Sequence, residues 1–173
     1  MPTNNDADAE VVFEYTGKGC AVPKNVTIVR FHPSVIEVEN EAFQYCNKLR
    51  EVVFNEGMMQ EIGVGAFCIC TSLSSITLPS TVTEIGSCAF SGCISLRELQ
   101  LNEGLQKIGV SAFWNCSSLA SITLPSTVAE ICSCAFHDCN NLREVEFNVG
   151  LQKIGNSAFY SCRLLSSVIF PHT

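Results

Sequence analysis

The sequence predicts a repeat solenoid, in which short β-strands from successive coils form a parallel β-sheet. The dipeptide Ala-Phe recurs at steps of 23 or 24 residues, a cysteine follows each of these phenylalanines by three residues, and a leucine follows each cysteine by three. One such segment cannot bury its own apolar side, so we expect the segments to stack and share one continuous core.

The three recurring columns hold one residue from each of six coils. The phenylalanines are Phe43, Phe67, Phe90, Phe113, Phe136 and Phe159, the cysteines are Cys46, Cys70, Cys93, Cys116, Cys139 and Cys162, and the leucines are Leu49, Leu73, Leu96, Leu119, Leu142 and Leu165. Six matches in each of three columns, at one period, establish an internal repeat.

The coil that begins at Leu73 shows how one unit is built. Ile76 and Leu78 alternate with hydroxyl residues, which is the period-2 pattern of a half-buried strand. Pro79 cannot donate to a sheet ladder, so it ends that strand. The segment 85–93 is too short for a full helix, and we predict a helical turn or a 3-10 piece there.

This pattern resembles the BspA-type leucine-rich repeats, whose consensus LxxIxLPxxLxxIgxxAFxxC is close to LSSITLPSTVTEIGSCAFSGC in this chain. The resemblance covers roughly residues 26–171. It implies an α/β-type leucine-rich repeat fold: a curved, right-handed coil array with a parallel β-sheet on the concave face and short helical or 3-10 turns on the return side. It implies no catalytic activity, and it implies a role in adhesion or protein interaction.

The periodicity also divides the chain into regions. We expect a disordered acidic tail at 1–10, an N-terminal β cap at 11–25, formed by a hairpin or a short strand, and an array of six coils with a partial seventh at 26–173. Segments 73–118 and 119–164 match at 30 of 46 positions, so the duplicated unit is a pair of coils. One extra residue, at 58–59, predicts a bulge.

Charge and composition exclude several classes of function. The net charge is −7 and no run of Lys or Arg occurs, so we expect no nucleic-acid binding. No apolar stretch approaches the ~18 residues that span a bilayer, so we expect no membrane insertion. The first ten residues are polar and acidic, unlike a secretory signal, which favours a cytoplasmic protein. The alternative is a secreted or cell-surface protein whose native N-terminus is missing here.

The eleven cysteines are interpreted mainly as core residues. An odd number fits a complete disulfide framework poorly, and side chains in register on stacked coils point the same way. The remote alternative is a metal site formed by Cys132, Cys134, His137 and Cys139, four soft ligand types in eight residues. Their spacing differs from two separated CxxC knuckles and Cys139 is a core position, so we expect no metal or other cofactor.

Catalytic motifs are missing from the sequence. No GxSxG or HExxH motif and no Gly-rich phosphate loop occurs, and no histidine stands beside a Ser or Cys in a recognisable nucleophile context. We therefore expect a non-enzyme.

The candidate binding surface consists of side chains that strand alternation turns outward on the predicted concave face. These are Glu51, Ser75, Thr77, Glu98, Gln100, Ser121, Thr123, Glu144 and Glu146. We predict that they bind a protein partner; the alternative is a solvated polar face with no dedicated ligand. Leu165, Val168 and Phe170 begin a seventh strand with no coil after it, which predicts self-association through this end or a longer natural array.

Overall fold

The computed structural model describes residues 9–55 and 57–171, which form a parallel β-solenoid of stacked coils. The expected tail at 1–10 lies almost entirely outside the described residues. Two kinds of strand alternate along most of the chain. The longer strands are β1 (Val12–Tyr15), β2 (Ile28–Phe31), β4 (Glu51–Val53), β6 (Ser75–Thr77), β8 (Glu98–Gln100), β10 (Ser121–Thr123), β12 (Glu144–Glu146) and β14 (Ser167–Ile169). The two-residue strands are β3 (Glu37–Val38), β5 (Glu61–Ile62), β7 (Glu84–Ile85), β9 (Lys107–Ile108), β11 (Glu130–Ile131) and β13 (Lys153–Ile154).

The coils present two different sheet surfaces. On the long-strand face, which we define by the outward side chains of β4, β6, β8, β10, β12 and β14, the strands pair in parallel as β1-β2-β4, β6-β8 and β10-β12-β14. On the short-strand face the two-residue strands form one parallel sheet in the order β3-β5-β7-β9-β11-β13. Paired residues are one coil apart, as in Ile131↔Ile154. Residues one repeat apart in the sequence are therefore the residues that pair between neighbouring coils.

The N-terminal segment extends the first long-strand sheet. β1 pairs in parallel with β2, with Val12 opposite Ile28. It is thus a single added strand and not an arm of an antiparallel hairpin. Tyr15 is fully buried, and its ring centroid lies 5.1 Å from those of both Phe31 and Phe43. Tyr15 therefore closes the aromatic core at this end.

A column of parallel phenylalanine rings runs through the core. From Phe43 to Phe159, successive ring centroids are 5.0–5.3 Å apart and successive planes differ by 3–6°. Isolated aromatic pairs prefer offset or edge-to-face contacts, so the repeat of the backbone imposes this arrangement. Every ring in the column is fully buried except Phe159, which is half-buried.

The predicted helical or 3-10 turns on the return side are wrong, because the described residues contain no helix. In the coil at 109–116, backbone amides donate alternately to carbonyl groups of the same coil and to carbonyl groups of the next coil. The Trp114 amide donates to Ser111 O at 3.1 Å in its own coil, whereas the Phe113 amide donates to Ala135 O at 2.8 Å in the next coil. In addition, Ser111 and Asn115 have left-handed φ values of 54° and 55°. A helix requires consecutive amides bonded within the coil, so this pattern excludes one.

Glycines mark where neighbouring coils approach most closely. A Cβ atom built on Gly109 would lie 2.6 Å from Ile85 O, and one on Gly86 would lie 2.7 Å from Ile62 O. Neither glycine has a left-handed φ, so close approach of two backbones explains both. Cys132 occupies the same column one coil further on, where a Cβ atom is accommodated.

We expect Gly109→Ala to lower the free energy of unfolding by about 1–3 kcal/mol, because the added methyl group overlaps the backbone of the preceding coil. That loss outweighs the gain from a stiffer unfolded chain. The matched control is Cys132→Ala, in the same column, which adds no atom and should cost less than about 1 kcal/mol. Urea unfolding followed by circular dichroism measures both. Equal costs for the two variants would contradict the close approach at Gly109.

Candidate functional site

The long-strand face carries all nine residues proposed from the sequence as a binding surface. Each lies on a long strand and is exposed to solvent: Glu51, Ser75, Thr77, Glu98, Gln100, Ser121, Thr123, Glu144 and Glu146. The residues between them, such as Ile76, Ile122 and Val145, are buried in the core. Strand alternation therefore sorts β6, β10 and β12 each into one core position and two outward positions.

Parallel pairing brings the outward side chains into rows across neighbouring coils. Thr77 is opposite Gln100, and its hydroxyl donates to Gln100 Oε1 at 3.4 Å. Thr123 is opposite Glu146, and its hydroxyl donates to Glu146 Oε2 at 3.3 Å. Rows of hydroxyl groups thus alternate with rows of carboxylate or amide groups and partly orient them.

Two arginines at the edge of the long-strand face have no ion pair among the described residues. Arg97 and Arg143 precede Glu98 and Glu144, and both arginines are exposed. Within the described part of the chain, neither arginine forms a salt bridge. An open groove of about 330 Å³ runs along β6 and β8, lined by both hydroxyl and charged side chains. This surface suits contact with an extended surface better than enclosure of a small molecule.

The short-strand face contains two ion pairs between neighbouring coils. Lys107 Nζ lies 2.7 Å from Glu84 Oε1, and Lys153 Nζ lies 2.6 Å from Glu130 Oε1. The hydrogen bond and charge of Glu84 raise the pKa of Lys107, and the hydrogen bond from Lys153 lowers the pKa of Glu130. Exposed pairs of this kind contribute little to stability. These four charged groups therefore already have ion-pair partners within the chain.

A larger groove adjoins the first break in the long-strand sheet. It has a volume of about 740 Å³ and lies between β4 and β6, with Phe54, Gly57 and Pro79 among its lining residues. β4 and β6 are not paired, unlike β2 and β4. The extra residue at 58–59 was the only signal of this opening in the sequence.

The structure does not group Cys132, Cys134, His137 and Cys139 as ligands of one metal ion. Cys139 is buried and its thiol donates to Phe113 O at 3.3 Å. His137 Nδ1 lies 3.0 Å from Trp114 Nε1, and Cys134 makes only a long contact to a backbone carbonyl. Among the described residues, no three His, Cys, Asp or Glu side chains are grouped as a metal site would require.

The core cysteines form a ladder of thiol hydrogen bonds. Five of the six column thiols donate to the carbonyl oxygen of the phenylalanine in the preceding coil at 3.2–3.3 Å: Cys70 to Phe43, Cys93 to Phe67, Cys116 to Phe90, Cys139 to Phe113 and Cys162 to Phe136. All eleven cysteines are free thiols. Burial raises the pKa of Cys93 to about 12 and that of Cys162 to about 11. Protonated, buried thiols are poor nucleophiles, so this ladder is structural.

The described residues include no helix that could cross a bilayer.

We expect the stability of the array to fall as the pH rises above about 9, because the Cys93 thiol ionises near pH 9 in the unfolded chain but only near pH 12 in the folded one. The unfolded state then releases protons that the folded state retains, which costs up to about 1.4 kcal/mol per pH unit for each such thiol. Urea unfolding with reductant at pH 8, 9 and 10 measures the decline. Cys93→Ala should show a shallower decline than the parent; parallel declines would exclude a contribution from Cys93.

Comparison with known families identifies the repeat. The sequence matches the model of the BspA type leucine rich repeat region in six copies, over residues 17–68 and 60–173. A search of curated proteins finds no match.

Solved structures with the same fold come from several bacteria. A leucine-rich repeat protein of Treponema pallidum is 34% identical with a TM-score of 0.79, and the match covers 83% of this chain and 69% of that one. A Bacteroides ovatus leucine-rich repeat protein is 29% identical with a TM-score of 0.65, covering 83% of this chain and 45% of that one. A leucine rich cell surface protein of Faecalibacterium prausnitzii is 18% identical with a TM-score of 0.51, covering 86% and 60%. This chain thus spans less than two thirds of the last two.

Proposed function

The chain belongs to the BspA-type leucine-rich repeat family, and on that premise we propose that it is a non-catalytic protein-binding module. The partner is held on the long-strand face. The observation that carries this proposal is the regular surface of exposed carboxylate, amide and hydroxyl groups on successive strands. Leucine-rich repeats commonly bind on the sheet side, and we propose that this is the concave face of the array; both points rest on family analogy.

The charge of this face favours a basic partner. Glu98, Glu144 and Glu146 are exposed, and none of them is in an ion pair within the described part of the chain. Since adjacent parallel strands are about 4.8 Å apart, acidic rows on every second coil are about 10 Å apart. A protein surface that presents Lys or Arg at that spacing fits the rows, and such charge complementarity speeds association and sets specificity.

We expect the triple variant Glu98→Gln, Glu144→Gln, Glu146→Gln to bind the partner more weakly than the parent chain does. Three lost contacts of about 0.5 kcal/mol each correspond to about a tenfold weaker affinity. Capture from extracts of the native cell, quantified by mass spectrometry at two salt concentrations, measures the bound amount.

The matched control is Glu61→Gln, Glu84→Gln, Glu130→Gln, which makes the same change in net charge on the short-strand face. It should retain the partner. Equal loss in both triple variants would point to net charge alone, and equal retention would mean that the long-strand face binds no partner through these carboxylates.

We further propose that the protein acts in the cytoplasm. Eleven free thiols support a reducing compartment, since oxidising compartments favour disulfides. The second candidate is adhesion at a cell surface. It is favoured by the Faecalibacterium prausnitzii structure, which is described as a cell surface protein. Fractionation of the native cell distinguishes the two.

A second copy of the chain is the occupant that we propose for the C-terminal coil. Val168 is 44% exposed and Phe170 is 67% exposed, and Ile154 on the short-strand face is 47% exposed. β14 and β13 are the terminal strands of their sheets, so one edge of each has no partner strand among the described residues. Unpaired edges and exposed apolar side chains together favour strand pairing with another chain.

Sedimentation analysis over a range of protein concentrations tests this self-association. We expect the parent chain to form a dimer joined through β14 of each copy, and Val168→Glu with Phe170→Glu to be monomeric. The control is Val12→Glu, on the exposed strand at the opposite end of the array, which should leave the dimer intact. A parent that stays monomeric at high concentration would contradict the proposal.

A further inference from the structure

A row of ring side chains lies on the return side, away from both sheet faces. Trp114, His137 and Tyr160 each directly follow a phenylalanine of the core column in three successive coils. Trp114 is 44% exposed and Tyr160 is 63% exposed. The His137 ring stacks on Tyr160 with centroids 5.0 Å apart, and its centroid lies 6.5 Å from that of Trp114.

The centre of this row contains two competing contacts to one nitrogen atom. His137 Nδ1 lies 3.0 Å from Trp114 Nε1, which can only donate a hydrogen bond. The same Nδ1 lies 3.0 Å from Asp138 Oδ2, a carboxylate oxygen that only accepts. Without a proton Nδ1 can accept from the indole, and with a proton it can donate to the carboxylate. The two hydrogen bonds therefore exclude each other.

We propose that His137 is a pH-dependent switch that exchanges a hydrogen bond from Trp114 for one to Asp138. In the neutral state the indole N–H is held by His137. When the ring takes up a proton at Nδ1, that N–H donates a hydrogen bond to the Asp138 carboxylate, and the Trp114 indole loses its acceptor. Trp114 is already partly exposed, so the released indole can turn to solvent. The surface on the return side then differs between neutral and mildly acidic conditions, the range in which histidines titrate.

The surroundings of His137 contain few other groups that could produce this response. Asp138 is the adjacent charge in the same coil, Tyr160 contacts the ring from the following coil, and Trp114 contacts it from the preceding one. Cys134, in the same turn, accepts the His137 amide through its carbonyl oxygen. Burial, with a smaller contribution from the charge of Asp138, raises the pKa of the Cys139 and Cys162 thiols, which stay protonated throughout the range.

The sequence contains one tryptophan, so its indole N–H signal in a ¹⁵N NMR spectrum reports on Trp114 alone. We expect this signal to shift between about pH 8 and pH 5 and to exchange faster with solvent at the acidic end. In His137→Gln the signal should stay in place. His32→Gln, which changes an exposed histidine near the other end of the array, should titrate like the parent. An indole signal that is constant in the parent, or that shifts equally in His137→Gln, would overturn the proposal.

Two further variants separate the two hydrogen bonds. Asp138→Asn removes the carboxylate that accepts from the protonated ring, so the titration midpoint of the His137 ring signals should fall. Trp114→Phe removes the donor that favours the neutral ring, so the midpoint should rise. Opposite shifts support the exchange of partners, whereas an unchanged midpoint in both variants would refute it. Circular dichroism at each pH verifies that the variants stay folded.

Discussion

On the return side, the amide of each column phenylalanine from Phe43 to Phe136 donates a hydrogen bond to the alanine carbonyl one coil further along the chain. The Phe67 amide reaches Ala89 O at 2.7 Å, and the Phe90 amide reaches Ala112 O at 2.8 Å. This bond fixes the separation of neighbouring coils at the point where their side chains meet. The ring-on-ring contacts of 5.0–5.3 Å and the exclusion of a Cβ atom at Gly109 both follow from that separation. So does the thiol ladder, because each cysteine reaches the phenylalanine carbonyl of the coil before it.

The same hydrogen bonds require an unusual backbone. Among the residues that the structure describes, ten other than glycine have a left-handed φ, including Ser111, Asn115 and Ile69. Each such residue is strained by about 1 kcal/mol or more, and a β-branched residue such as Ile69 is a marked exception. Intercoil bonds from these positions offset the strain: the amides of Ser111 and Asn115 each donate to a carbonyl of the following coil. The strain is thus distributed along the solenoid, and the following coil supplies an acceptor to the amides of eight of these residues, all but Ser157 and Ser161 in the last coil.

The sequence predicted the stacking and the outward positions correctly because contacts in a solenoid repeat at the period of the sequence. It did not predict the return side, since apolar residues at Ile85, Ala89 and Cys93 have the spacing of a helix, while the acceptors for alternate amides lie 22 residues away in the next coil. One feature of the sequence did indicate the left-handed backbone. Gly65 occupies the same repeat position as Cys88, and glycine favours the left-handed φ that both residues adopt. The sequence did not predict the short-strand sheet, because strands of two residues are too short to show the alternation of apolar and polar side chains.

The short-strand face and the long-strand face differ in which charged side chains remain free to contact other molecules. In the middle of the array, core positions contact both neighbouring coils, so the outward side chains are the ones left to contact other molecules. On the short-strand face Lys107 and Lys153 engage glutamates of the preceding coils, which satisfies both partners within the chain. On the long-strand face, duplication of a two-coil unit places Glu98 and Glu144 in equivalent positions, with a row of hydroxyl groups between them. The partner that we propose for this face would have to match the spacing of two coils, and that spacing is set by the same backbone hydrogen bonds that stack the phenylalanines.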